Sequence, residues 1–533
     1  MNFQDQDLLY LTIFVHYFTH TAVKKIFQTP PPVFASRFVS PSGHPRRNSL
    51  AILLLALGLV LIAVPMGLWT GLFDPLLLKP VLNDWTESWS TPLAIGLTAT
   101  LITVPVIWVL VSDVLDLVAF FLVQNALLIA GYFFLKTTAW KLDPDLAAGI
   151  LRAGPLVVLI NAIGFGTLFL SLGFTYLNGV LRHVQLQPLH DVPEEYDLRV
   201  KWFLRAAGLV VVFVLALPMV HTGVIPMLAE NAAAARAGNM SSDVERSLYN
   251  LGAALMPFIT AGLLILCTRR PLRFLGIDGG IAASLFLIQL LSGNRFPLAI
   301  AVFATFTLAT MERRLPRMLL LVVFALCMFF FTGMSGLTGL LRTQRDQLTE
   351  GNPVVKSVEA AFTGDNLIDV RDAAWVLSRW NFNPLMGTTY LGGLVSMMPS
   401  GIFPQKKEWH LGLTGVRIVG WDDQNHFGLR VTFFGEAFLN FGLAGVITLG
   451  TVMGLLFGTL LRAVHQASRK KPACLHYNLK LVILIQMCMP LANTSDAFTF
   501  WAMCGFLALQ WITVDLTLPT PSRIRAPHDA HRT

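Results

Sequence analysis

Long apolar runs separated by short polar ones dominate this chain. Reading the runs as bilayer crossings of roughly 20 residues predicts twelve spans: 50–71, 92–112, 114–135, 154–177, 202–221, 246–268, 276–292, 296–311, 318–341, 431–461, 479–493 and 497–515. Residues 51–71 are the cleanest case, with almost no polar side chain. A bilayer leaves no backbone polar group unsatisfied, so such runs must be helices, and the alternating pattern of barrel strands is absent. The run at 431–461 exceeds one crossing, which implies either a tilt or an unwound or interfacial start.

The expected architecture is therefore an all-α polytopic membrane protein. An N-terminal segment, 1–49, lies on the cytoplasmic side or at the interface. Nine spans fill 50–341, a large loop occupies 342–430, three spans follow over 431–515, and 516–533 form a tail. Residues 8–23 are apolar but follow an acidic start and precede Lys24 and Lys25, which is the reverse of a signal peptide. An interfacial helix fits them better than a thirteenth span.

Charge sets the orientation. Arg46 and Arg47, Arg269 with Arg270 and Arg273, Arg313 with Arg314 and Arg317, Arg469 to Lys471, and Arg523 with Arg525 all fall on one side when the spans alternate. By the positive-inside rule that side, with both termini, is cytoplasmic. The loop 342–430 then faces outward. It is far longer than ordinary connections and carries Trp375, Trp380, Trp409 and Trp421. Leu367, Val370, Ala374 and Leu377 predict an amphipathic helix there, with Asn366 as its cap and Asp369 three residues on.

Composition agrees with this class: 54% of the 533 residues are hydrophobic and only 13% charged, against about a quarter charged in soluble domains. The net charge of +8 does not point to nucleic acid, because the basic residues sit between apolar runs and not in an aromatic-laced patch. Cys267, Cys327, Cys474, Cys488 and Cys504 fall in spans or on the basic side, which argues against a disulfide framework. No phosphate-binding or dinucleotide loop occurs, no cofactor is expected, and no internal repeat supports an inverted-repeat transporter.

Candidate chemistry concentrates at the start of the tenth span, where Asp422, Asp423, His426, Arg430, Glu436 and Asn440 cluster. Thr432, Glu436 and Asn440 share one helical stripe. An ionised Glu within a span costs roughly 2.5–3.5 kcal/mol, so Glu436 should face a protein partner or a wet cavity. A buried hydrogen bond between helices would explain it equally well. Arg295 stands in the outward turn Ser292, Gly293, Asn294, Arg295; its guanidinium fork suits a phosphate, and headgroup anchoring is the competing role. Arg342 and Arg345, with Arg371, Lys406 and Lys407, could form a cationic ceiling, although Asp346, Glu350, Asp369 and Asp372 offset them. His410 and His426 are candidate bases. Asp143 and Asp145 form an acidic pair around a proline and read as structural.

Three short stretches carry a family resemblance. Residues 428–446, GLRVTFFGEAFLNFGLAGV, resemble the segment after the large loop of Wzy-type oligosaccharide repeat-unit polymerases, which build O-antigen and exopolysaccharide. Residues 398–406, MPSGIFPQK, resemble a stretch within that loop, and residues 292–295, SGNR, resemble a short outward turn. The likeness covers about residues 200–515. In the related O-antigen ligases a His precedes a Gly-x-x-Gly pair closely, whereas His426 stands farther from Gly442 and Gly445.

The resemblance implies a GT-C-like bundle and glycosyl transfer at the outer face of a bacterial inner membrane. Undecaprenyl-pyrophosphate-linked oligosaccharides would be the substrates and a chain-length regulator a possible partner. It implies catalytic roles for His426, Glu436 and Arg430, with Arg295, Arg342, Arg345, Lys406 and Asn440 binding substrate. The nearest alternative is a ligase that transfers glycan to lipid A-core; a transporter is the alternative of a different class.

Overall fold

In a computed structural model, the described residues are 143–178, 194–229, 242–269, 276–293, 296–312, 370–421, 429–469, 475–492 and 497–515, with a few positions inside these excepted and isolated positions outside them added. They form helices and connecting turns, and no strand occurs among them. The helices are α1 (Pro144–Asn178), α2 (Glu194–Thr222), α3 (Asp243–Arg269), α4 (Ile277–Leu291), α5 (Phe296–Glu312), α6 (Val370–Arg379), α7 (Thr388–Leu394), α8 (Leu411–Val419), α9 (Phe433–Arg469), α10 (Leu475–Ala492) and α11 (Ala497–Gln510).

Among the described residues, four stretches are long and apolar enough to cross a membrane: Pro144–Tyr176, Asp197–Thr222, Val244–Cys267 and Phe433–Arg462. By length and composition they mark a membrane protein. Eight of the predicted spans fall on described helices, α1 to α5 and α9 to α11. The predicted spans 50–71, 92–112, 114–135 and 318–341, the segment 1–49, loop residues 342–369 and the tail 516–533 lie essentially outside the described residues.

Several helices run past the apolar stretch that predicts them. α1 starts at Pro144, ten residues before its apolar run, because Asp143 caps it: the Asp143 carboxylate accepts from the backbone N–H of Asp145 at 3.0 Å and more weakly from that of Leu146. A proline at the first helical position lacks only an N–H that would have no intrahelical partner. The acidic pair, read from sequence as structural, is the start of a helix that the apolar run placed ten residues later. α2 likewise begins among charged residues, at Glu194. Hydropathy locates the part of a helix that lipid can cover, not the turns that continue into polar surroundings.

α1 and α9 run parallel and in close contact through small residues. A Cβ on Gly454 would sit 2.7 Å from the Ser171 Cβ, and one on Gly458 would sit 2.8 Å from the Thr175 Cβ. Gly450 meets Gly164 and Thr167 in the same way. Three glycines at intervals of four let two backbones approach as apolar side chains cannot, which is the usual route to tight packing between helices in lipid.

Two further contacts fix the arrangement. Arg205 on α2 pairs bidentately with Asp278 in the first turn of α4, and its guanidinium lies 5.0 Å from the Trp202 ring centroid. Asp278 is buried, and the pair joins the first half of α2 to the start of α4. α6, the amphipathic helix predicted in the large loop, buries Val370, Ala373, Ala374, Val376 and Leu377. Trp375 and Ser378 of α6 lie against Gly149 of α1, and Arg379 pairs with Asp145 at 3.2 Å. The large loop is thus folded against the capped end of α1.

Candidate functional site

The tenth predicted span does not cross as one rod. Phe441 (φ −139°, ψ 17°) and Gly442 (φ 61°, ψ −153°) leave helical geometry and divide α9 into a short first part, 433–440, and a long second part, 443–469. The Gly442 backbone conformation is open essentially only to glycine. The break explains why the apolar run is too long for one crossing; of the alternatives predicted, an interrupted start is the one observed.

Thr432 opens the short part. Its Oγ1 accepts from the N–H of Gly435 at 3.1 Å, which is N-cap geometry. The same oxygen accepts from Asn161 Nδ2 of α1 at 2.9 Å. One turn on, Glu436 is fully buried, and another turn on so is Asn440. The predicted stripe is real, and it faces inward.

What it faces is the large loop. The chain after α6 turns through Met386 (φ 50°) and Gly387 (φ 84°), two successive left-handed residues, and lays residues 385–390 across the broken end of the helix. The N–H groups of Leu385 and Met386 donate to the carbonyls of Leu439 and Asn440 at 3.0 and 3.2 Å. Those carbonyls belong to the last turn before the break, where a helix end needs donors from outside, and the loop supplies them.

The side chains complete the junction. Thr389 Oγ1 donates to Glu436 Oε1 at 2.7 Å and accepts from Asn440 Nδ2, also at 2.7 Å. Asn440 Nδ2 reaches the Glu436 carbonyl at 2.9 Å as well, and Asn440 Oδ1 accepts from the Gly387 N–H at 3.0 Å. The Asn440 amide is thereby fully engaged. The Tyr390 ring stacks on Phe441 at 6.1 Å and 10°. Burial first, and then the nearby Glu436 carboxylate, push the Tyr390 phenol well above its ordinary range, so it stays neutral.

Thr389 and Gly387 were not among the residues expected from sequence. A threonine amid a Gly-Thr-Thr-Tyr loop carries no mark of a partner 47 positions away. Glu436 was marked, because an acid in an apolar helix requires a partner.

The remaining candidates are distributed differently. Lys406 Nζ donates to the carbonyls of Ser396 and Met398, closing a turn within the loop. Arg371 pairs with its neighbour Asp372 at 3.1 Å. His410 precedes α8 and is exposed. Arg295, Arg342, Arg345, Asp422, Asp423, His426 and Arg430 lie outside the described residues. The turn that leads to Arg295 is described: Ser292 Oγ donates to the Gln289 carbonyl at 2.7 Å, and Gly293 has φ 67°, a conformation that favours glycine. Among the described residues no group of three His, Cys, Asp or Glu side chains could hold a metal ion. Cys267 and Cys504 are free thiols.

Comparison with protein families, with curated proteins and with solved structures gave no match.

Proposed function

We propose that this chain is a membrane glycosyltransferase that joins undecaprenyl-pyrophosphate-linked oligosaccharide repeat units into long surface polysaccharide. The observation that carries the reading is Glu436, a buried acid at the broken start of α9, held by Thr389 of the large loop. Acidic groups in apolar helices are retained for chemistry or for a specific partner. Here the acid sits where a loop rich in aromatic residues folds onto the bundle, a setting suited to a sugar acceptor.

In this reading the bundle is GT-C-like with twelve spans and cytoplasmic termini. The loop lies on the periplasmic face of the inner membrane. The acceptor hydroxyl attacks the anomeric carbon of the donor chain, a C–O bond forms, and the bond to pyrophosphate breaks. The hydroxyl proton passes to His426 or Glu436 as base. The leaving pyrophosphate keeps the bonding electrons, and guanidinium groups at headgroup depth (Arg295, Arg342, Arg345 and Arg430) neutralise its charge. Because Glu436 is buried beneath Thr389, residues 385–390 must lift before an acceptor can reach it. A chain-length regulator would be the protein partner.

The test is the surface-glycan profile of a strain lacking this chain. It should keep single repeat units on its lipid anchor and lose long chains. Loss of all attached glycan, single units included, identifies a ligase instead, and an unchanged profile overturns both.

A further inference from the structure

Within the large loop, α6 and α7 bury opposite kinds of surface. α6 follows the water-soluble rule, with its aliphatic residues inside. α7 inverts it. Thr389, Gly392 and Gly393 are its buried residues, while Leu391 and Leu394 stand exposed. The inward face is closely sealed, since a Cβ on Gly392 would lie 2.6 Å from the Trp409 carbonyl oxygen and 2.9 Å from the Trp409 Cβ.

Small residues inward and large aliphatic residues outward is the pattern of helices bathed in lipid, where packing needs close backbone approach and exposure of Leu costs nothing. The same pattern appears on the long helices, where Gly454 and Gly458 face α1 and Phe213 and Val220 of α2 face outward.

The surface around α7 extends this pattern. Phe382, Met386, Met398 and Ile402 are also exposed, Met386 and Ile402 at 72% each. No charged residue occurs between Arg379 and Lys406. At the boundaries of this run, Arg379 is paired with Asp145, and Lys406 turns its ammonium onto loop carbonyls. Soluble monomers rarely expose so many large apolar side chains along one short segment. The charge-free run in a chain built of membrane-crossing helices identifies the occupant as acyl chains.

We infer that residues 382–402 are a membrane-embedded part of the large loop, with the α7 Leu391–Leu394 face lying in the hydrocarbon of the adjacent leaflet. The loop is therefore anchored in lipid on one side and capped onto the break of α9 on the other. This inference is independent of any enzymatic activity.

The test uses the full chain in phospholipid nanodiscs that contain a lipid with a diazirine in its acyl chain, followed by photolysis and peptide mapping. Adducts should form on peptides covering 382–402 as they do on α2, and be absent from Glu408 to Trp421. The double variant Leu391→Lys with Leu394→Lys leaves the inward face intact, and it should lose adducts on 382–402 several-fold while α2 keeps its own. Labelled α2 with unlabelled 382–402 would overturn the inference. Cross-links from this segment to a second copy of the chain, in place of lipid adducts, would overturn it too.

Discussion

The hydroxyl of Thr389 donates a 2.7 Å hydrogen bond to the carboxyl of Glu436, joining a loop turn to a buried acid 47 positions along the chain. Asn440 completes the relay by donating to the same threonine oxygen. That arrangement makes Thr389 the hinge pin of the junction, although it carries no charge and occupies no recognisable motif.

Replacing it separates packing from polarity. Thr389→Val keeps the shape but removes the donor to Glu436 Oε1 and one of the two acceptors of Asn440 Nδ2, and a lost buried hydrogen-bond partner costs about 1–3 kcal/mol. The variant should melt clearly lower than wild type in detergent, whereas Thr389→Ser should restore nearly all of the loss. Equal melting temperatures for Val and Ser would remove the hydrogen bond from any structural role.

Glu436→Gln tests whether the acid does more than accept that bond. Gln keeps an oxygen for Thr389, so the variant should accumulate in the membrane at normal levels and melt close to wild type. If Glu436 serves as base or binds substrate, long-chain glycan should fall roughly a hundredfold or more, as expected for loss of a general base. Normal chain lengths from the folded Gln variant would reduce Glu436 to helix-to-loop attachment.

The α1–α9 contact predicts a steep dependence on side-chain size. Gly454 has no room, with Leu172 N 3.0 Å and Ser171 Cβ 2.7 Å from a hypothetical Cβ. Gly454→Val should therefore abolish folded protein, because overpacking costs typically 1–3 kcal/mol even where the backbone can yield. Gly505→Ala is the control, since nothing lies within 4 Å of its Cβ position. It should be tolerated, as judged by monodisperse elution after purification.

The pair between Arg205 and Asp278 should behave as a unit. Asp278 is 1% exposed, so Arg205→Ala leaves a buried acid uncompensated, a loss of about 3–5 kcal/mol for pairs of this kind. Arg205→Met combined with Asp278→Leu removes both charges and should recover much of that stability. A melting series of the two singles and the double gives the coupling energy directly. Additive losses would mean that the two side chains act separately.

The apolar runs by themselves determined that the chain is helical and membrane-crossing, and where eight of the helices lie. A bilayer imposes a length and forbids unsatisfied backbone, so the signal is local to each segment. The inward stripe of Thr432, Glu436 and Asn440 was equally legible, because helical spacing alone aligns residues four apart. The start of α1 was readable in principle from Asp143 and Pro144, whereas the apolar run placed it ten residues late.

Only the tertiary structure decided the partners. Asn161 meets Thr432 across 271 positions and Thr389 meets Glu436 across 47. The glycines at 450, 454 and 458 stand in plain view at four-residue intervals, but nothing local says that α1 is the helix they admit. The break at Phe441 and Gly442 is likewise met by a distant segment, since the carbonyls of Leu439 and Asn440 before it accept from the N–H groups of Leu385 and Met386. Helix formation is governed by neighbours in sequence, whereas pairing between helices is governed by neighbours in space, and a single chain read end to end records only the first.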